Sequence, residues 1–480
     1  MNTMKRFSTI MMATFVVMLF LTACETKPKE QKVYIVSTND MHANIDNFPK
    51  LAALIDSLRS VHPDLLLFSA GDNRSGNPIN DRCAEPAKPM YELMNAVKFD
   101  LSTFGNHEWD NGPLALRSAL GWANFPFVCA NVQFDDTLQM PNVSPYIVFE
   151  RDGLKIGVIG GIQVGENGLP DFHPKHSNGS HFVNLHEVLP KYIEELSDCN
   201  AIFLLTHCGY EEDLETAAKF PQVAAIFGGH SHTLVAEKQL VGDVMVTQAD
   251  SRATYVTLST FTFVDGKLTG KDMQLLSVKD FPKRDEKVQA MVNNFNNNDY
   301  FNTVVCTNMT PIDRNEALGC LMTDAIRIPL GADLAFQNPG GVRFDTLSAR
   351  PVTIKDIFAL DPFDNEIVRY TLTGEEIIRL MELSPIVDKG PIYCSGCTYT
   401  YKKVDDKHVS DIQVTLDNGK PLDMKAKYDV VMNSYMSSVF DFEHEDDGQS
   451  TFRSSNDLMM EFLSQHPEID YGKVSRLTEK

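Results

Sequence analysis

Short apolar runs, each stopping at a polar or glycine-bearing segment, recur through the first half of the chain. Val33 to Val36 leads into Thr38, Asn39, Asp40, Met41 and His42, and Leu65 to Phe68 leads into Gly71, Asp72 and Asn73. Runs without polar alternation predict strands covered on both faces. Between these two, Leu51, Leu54, Ile55 and Leu58 recur at helical spacing within Pro49 to Arg59, which predicts a crossover helix. Phe99, Leu101 and Phe104 end at Gly105, Asn106, His107, Glu108, Trp109, Asp110, Asn111 and Gly112. Lys155 to Ile159 ends at Gly160 and Gly161, Ala201 to Leu205 at Thr206 and His207, and Ala224 to Phe227 at Gly228, Gly229, His230, Ser231 and His232. Strands alternating with helical segments predict a layered α/β domain, and in such sheets ligands collect beyond the carboxyl ends of the strands.

The pattern changes after Thr262. Asp265, Gly266 and Lys267 predict a hairpin turn, Pro282 opens a polar helical stretch, and Asn293 to Asn298 is nearly all asparagine. A boundary near Asn298 gives a layered α/β domain over 32–265, a linker helix region over 266–300 and a separate C-terminal α/β substrate-binding domain over 301–480. A chain of 480 residues is long for one core, which agrees with two domains. With 43% hydrophobic and 22% charged residues the chain is globular, and a net charge of -22 argues against nucleic acid as partner. At the N-terminus, Lys5 and Arg6 precede an apolar run from Ile10 to Leu21, and Leu21, Thr22, Ala23 and Cys24 resemble a bacterial lipoprotein cleavage box. The resemblance implies a signal peptide over 1–23, a lipid on Cys24 and a polar tether over 24–31. Cleaved, or kept as an anchor, the segment places the globular part outside the cytoplasm, facing periplasm or cell surface. The membrane is then met only through the anchor.

Asp40, His42, Asp72, Asn106, His207, His230 and His232 all fall at strand ends. Asp40 and His42, two apart, would project to one side of an extended segment and share an ion. Seven ligands of mixed oxygen and nitrogen type suit two divalent ions bridged by one carboxylate; Zn, Mn, Fe and Co all accept such a set. Asn106 is read as a metal ligand and His107, oriented by Asp110, as the group that touches a phosphoryl oxygen. Trp109 is read as packing and Glu108 as a residue behind the ligands. His173, His176, His181 and His186 lie in a polar segment and are read as surface. Cys394 and Cys397 form a C-x-x-C without a partner pair, read as a local disulfide or two buried thiols.

In their order, Asp40-x-His42, Gly71-Asp72, Gly105-Asn106-His107-Glu108, His207 and Gly229-His230-x-His232 resemble the five motifs of the calcineurin-like metallophosphatases. The resemblance implies one ion on Asp40, His42, Asp72 and His232. It implies a second on Asp72, Asn106, His207 and His230, with His107 and Asp110 as the dyad acting on the transition state or leaving oxygen. In the second half, Arg314 to Gly319, Asn338-Pro339-Gly340-Gly341-Val342-Arg343 and Pro362-Phe363 resemble the nucleotide-pocket motifs of the 5′-nucleotidases. That implies Arg314 and Arg343 on phosphate or ribose, Asn338 as a polar contact beside Gly340 and Gly341, and Phe363 as one side of a base clamp. Pro339 stands where glycine is more usual. The family closes its clamp with a Gly-Gly-Asp-Gly-aromatic motif, yet here Asp447-Gly448 is followed by Gln449, leaving Tyr435, Phe440 or Phe442 to supply the ring. The expectation is a metal-dependent phosphohydrolase releasing phosphate from nucleotides held between two domains, with a hinge motion joining pocket to metals. The rivals are a same-fold hydrolase of cyclic nucleotides, nucleotide sugars or other esters, and a nucleotide-binding lipoprotein without turnover.

Overall fold

The computed structural model describes residues 28–344, 346–388 and 390–480. The expected leader and Cys24 lie outside the described residues. Two sheets stack face to face in the N-terminal half. The first has seven strands in the order Lys267–Ser277, Tyr255–Val264, Glu30–Thr38, Leu66–Ser69, Leu101–Thr103, Phe127–Val128 and Val143–Ser144. The second has six, in the order Gln239–Val241, Val244–Thr247, Ala225–Phe227, Ala201–His207, Leu154–Ile162 and Tyr146–Arg151. Ile35, Phe68 and Val128 of the first sheet share one core with Val158, Phe203 and Phe227 of the second, which explains why these runs lack polar alternation. Helices Phe48–Val61, Lys88–Val97, Gly112–Leu120 and Glu286–Asn296 cover the outer face of the first sheet. Leu185–Glu195 and Tyr210–Lys219 cover the second.

The central strands are parallel within each sheet. The strand-end residues therefore come from two sheets whose carboxyl ends share one rim of the sandwich. Several expected limits shift. Glu30 and Gln31, expected in the tether, pair with Val264 and Phe263. Gly160 and Gly161 continue the Leu154–Ile162 strand instead of ending it. A Cβ on Gly160 would lie 2.0 Å from the Val128 carbonyl oxygen, so glycine lets the two sheets touch there.

The expected linker is largely part of the first domain. Residues Lys267–Ser277 form an edge strand antiparallel to Tyr255–Val264, and Asp265 and Gly266 turn between them at φ of 49° and 76°. The helix Glu286–Asn296, whose first turn donates the Val288 N–H to Asp285 at 2.8 Å, places Val288 and Val292 in the same core as Leu51 and Leu54. The chain leaves this domain between that helix and the strand Val304–Asn308.

The C-terminal half is built on a five-stranded sheet in the order Tyr393–Ser395, Leu334–Gln337, Lys427–Asn433, Glu366–Thr373 and Gln449–Ser454. Alternate residues feed opposite faces. Phe336, Val430 and Met432 meet Ile377, Leu380 and Met381 of helix Gly374–Val387, while Ala335 and Val431 meet Ile326 and Leu458 of the two helices behind. Cys394 and Cys397 are buried free thiols, and the Cys394 thiol donates to the Cys397 carbonyl at 3.3 Å. Among the described residues no helix is long and apolar enough to cross a membrane.

Candidate active site

Two loops carry the first carboxylates, and their backbones are laced together. The Asp40 N–H donates to the Gly71 carbonyl at 3.1 Å and the His42 N–H to the Asp72 carbonyl at 2.9 Å. The segment is not extended, as the spacing suggested. Asp40 and His42 reach the same point because both adopt left-handed φ, 48° and 45°, while Met41 between them is fully buried. Asn39, missed in the sequence, donates its amide to Asp40 Oδ2 at 2.7 Å and accepts from the Ala249 N–H at 2.8 Å. Glu108 is fully buried and accepts the N–H groups of Asp72 at 3.0 Å, Asn73 at 2.9 Å and Gly105 at 2.6 Å. It staples the Asp72 loop to the Asn106 loop. Burial first, then the Asp72 charge, pushes its carboxyl up to about 7. A Cβ on Gly105 would lie 2.1 Å from Asp72 Oδ1, so only glycine permits this approach.

All seven strand-end side chains occupy one neighbourhood. His207 Nε2 lies 3.1 Å from Asp72 Oδ2 and 3.7 Å from Asp40 Oδ1. His232 Nε2 lies 3.4 Å from Asp40 Oδ1 and 3.0 Å from His42 Nε2, which is 3.8 Å from Asp72 Oδ2. His230 Nδ1 faces Asn106 Oδ1 at 3.0 Å. Asp40, His42 and His232, and Asp40, Asp72 and His207, each bring three ligand atoms within 4.8 Å of one another. His207 tests whether this set suits a metal. Its Nδ1 donates to the Ala70 carbonyl at 2.7 Å, which leaves Nε2 facing both carboxylates, buried and without a hydrogen-bond partner. Burial would lower this imidazole, but the Asp72 and Asp40 charges outweigh it and push it up to about 10, so without a metal a proton sits between the carboxylates at the place a cation fits. Burial would raise Asp72, but the charges of His207 and His107 outweigh it and hold the carboxyl well below the usual range. His42, pushed well below the imidazole range by burial and then by Arg343, is neutral, the form that ligates metal.

Beside these ligands His107 turns its Nδ1 to Asp110 Oδ2 at 2.9 Å and its Nε2 to the cleft. Burial lowers its pKa, but Asp110 and Asp72 outweigh that and the net shift is upward. The C-terminal half reaches into the same place. Arg343 Nη2 lies 3.2 Å from His42 Nε2 and 3.3 Å from His107 Nε2, and the Phe363 ring stacks on His107 with centroids 5.6 Å apart. Arg252 ties the halves together: its N–H donates to the Asp40 carbonyl at 2.7 Å, and its guanidinium donates to the Arg343 carbonyl. Above the ligands opens a cleft of about 440 Å³, lined from one side by Asn106, His107, Asp110 and Asp171 and from the other by Gly340, Arg343, Phe363, Ile386, Asp388 and Tyr435.

Not every residue singled out in the sequence reaches this cleft. Arg314 is not among its lining residues; the side chain pairs with Glu316 at 3.1 Å and donates to the Val474 carbonyl at 2.7 Å, because it starts a helix that faces the C-terminal tail. Asn338 lines the cleft with its amide already engaged: Oδ1 accepts from Asn433 at 3.0 Å, and Nδ2 donates to Asp388 at 2.6 Å. The Gly340 N–H also donates to Asp388, at 2.9 Å, so Asn338 and Gly340 together set the position of that carboxylate. Phe440 and Phe442 are core residues, leaving Tyr435 as the one of the three rings that lines the cleft. His173 and His176, read as surface, line the cleft as well, while His181 pairs with Asp135 at 2.9 Å and His186 with Thr216 at 2.7 Å.

Comparison with known proteins gives a consistent picture. Residues 33–234 match the family described as calcineurin-like phosphoesterase, and residues 300–442 match the C-terminal domain of 5′-nucleotidases. The chain is 25% identical over 464 residues to the trifunctional nucleotide phosphoesterase protein YfkN of Bacillus subtilis, covering 84% of this chain but 32% of that one, about a third of its length. It is 24% identical over 539 residues to a 5′-nucleotidase of Vibrio vulnificus, with 95% of each chain covered. Among solved structures, a 5′-nucleotidase precursor from Thermus thermophilus superposes with a TM-score of 0.83 at 23% identity, over 94% of this chain and 99% of the other, a likeness of fold.

Proposed function

Because the chain belongs to the calcineurin-like phosphoesterases that carry a 5′-nucleotidase C-terminal domain, we propose that it is a two-metal phosphohydrolase releasing phosphate from nucleotides outside the cytoplasm. The observation that carries this reading is the meeting of two residue sets in one cleft: metal-type ligands and the His107–Asp110 pair from one half, Arg343 and Phe363 from the other. Asp40, His42, Asp72 and His232 would hold one divalent ion and Asp72, Asn106, His207 and His230 the other. Bound there, such a pair would supply Lewis-acid clamping of the phosphoryl group and activation of water.

The protein's own groups do the rest. Asp110 fixes the His107 ring so that Nε2 points at the cleft, where it donates to a phosphoryl or leaving oxygen. Arg343 brings a planar fork suited to phosphate oxygens. Phe363, stacked beside His107, with Tyr435, Ile386 and Pro385 gives the cleft an apolar lining for a base, and Asp388 is an acceptor for sugar hydroxyls. That combination supports nucleotides over esters without a planar apolar part. Export and lipidation at Cys24 rest on the leader and cleavage box alone; a Cys24→Ser chain that no longer incorporates labelled fatty acid is the expected result.

The deciding measurement is phosphate release by purified protein across nucleoside mono- and diphosphates, cyclic nucleotides, nucleotide sugars and simple phosphomonoesters, with added Mn or Zn. Multiple turnovers on nucleotides, lost with chelator and restored by metal, are expected. No turnover on any nucleotide would refute the proposal.

A further inference from the structure

After the strand Leu154–Ile162 the chain makes an excursion over the rim of the site before reaching Pro174. Two residues of it brace residues assigned to one of the two ions. The Gln163 N–H donates to the His207 carbonyl at 2.9 Å. The Gln163 side chain then grips Asp171: Oε1 accepts the Asp171 N–H at 3.1 Å, and Nε2 lies 3.5 Å from Asp171 Oδ1. Asp171 in turn accepts the Asn106 side-chain amide on its carbonyl at 2.9 Å and sets its carboxylate 3.4 Å from His230 Nε2. These contacts fall on the side chains of Asn106 and His230 and on the main chain of His207, the three residues that, besides Asp72, are assigned to one of the two ions.

The chemistry of the contacts is directional. An amide whose N–H₂ is held by a carbonyl must present its oxygen to the other side, so the Asn106 contact selects Oδ1 as the inward atom. An imidazole whose outer nitrogen faces a carboxylate carries its proton there. His230 Nδ1 faces Asn106 Oδ1 at 3.0 Å, and with the ring proton on the Asp171 side both inward atoms would be free for an ion. We infer that Asp171, clamped by Gln163, is a positioning residue for the ion held by Asp72, Asn106, His207 and His230, and that it tunes this ion separately from its neighbour. The inference rests on the two-ion reading above.

The test is metal binding, read apart from turnover. Purified wild type, D171N and D171A are stripped, loaded with Co(II), and titrated with chelators of graded strength. Bound metal is counted by mass spectrometry, and the ligand field is followed by visible absorption. Wild type should hold two equivalents. D171N should hold one as tightly as wild type and the other about 10- to 100-fold more weakly, with a changed absorption band for the weak ion only. D171N keeps the size and backbone carbonyl of Asp171, so its result stands even where D171A perturbs the loop. If D171N retains both ions at wild-type affinity, or loses both equally, the brace is wrong while the two-ion reading survives. If wild type itself takes fewer than two equivalents, the two-ion reading fails and the brace fails with it.

Discussion

Asp40, His42, Asp72, His230 and His232 lie at φ between 45° and 80°, a region that side-chain-bearing residues adopt at a cost of order 1–3 kcal/mol each. The fold tolerates this because neighbouring loops over-determine them, and Glu108 is central to that, since three buried N–H groups converge on its carboxylate. Replacing it with alanine leaves those donors unsatisfied, and a loss of about 1–3 kcal/mol per donor is expected, visible as a lower unfolding midpoint in metal-free protein. His107→Ala, by contrast, should leave stability close to wild type and lower kcat by about 10²- to 10⁴-fold, measured by steady-state phosphate release. That the seven strand-end residues share a neighbourhood was legible from their placement in the chain. The left-handed turn at Asp40 and His42 was not, because two-residue spacing reads equally well as extended backbone. Asn39, Asp171 and Asp388 were invisible for another reason. They act chiefly through hydrogen bonds to residues far away in the chain, Ala249, Asn106 and Asn338 among them, and the local sequence does not reveal those partners.

Whole elements were easier to read where apolar residues dominate. The runs around Ile35, Phe68, Phe203 and Phe227 are buried on both sides, and the sequence says so. Lys267–Ser277 was lost among linker residues because it is an edge strand, half exposed, whose partner supplies the order. Burial pattern, not composition, separates such a strand from a tether. The turn that presents Phe363 carries a pH signature. Asp361 accepts the N–H groups of Phe363 and Asp364, both at 3.2 Å, and the Ser455 hydroxyl, and burial raises its carboxyl to about 6 from an ordinary 3.8. The folded chain then binds the proton more tightly than the unfolded one, so stability falls as pH rises between about 4 and about 6 and stays reduced above that window. Asp361→Asn, which does not titrate, should gain on wild type by roughly 2–3 kcal/mol between about pH 4 and pH 7.5, as measured by urea unfolding at both values. A gap independent of pH would remove the argument.

Across the whole molecule, the two halves meet with Arg343 already beside His42 and His107, and Arg82 paired with Asp364 at 3.2 Å. The hinge expected from the sequence therefore starts, in this structure, from a closed arrangement. With Lys267–Ser277 and Glu286–Asn296 packed on the first domain, any bending falls on residues 297–303. Protease footprinting with and without a nucleotide analogue should change there. Arg343→Ala should lower kcat/KM by about 10²- to 10³-fold, and Arg343→Lys should recover little of it, because an ammonium cannot offer two parallel donors. Arg252 adds a consequence of its own, since its main chain holds the Asp40 loop while its side chain holds the opposite half. Whatever settles that loop also settles the grip across the gap, so filling the centre with cations and drawing the two lobes together are one lever. Small-angle scattering should report a smaller radius of gyration for the loaded than for the stripped protein, and Arg252→Ala should erase the difference.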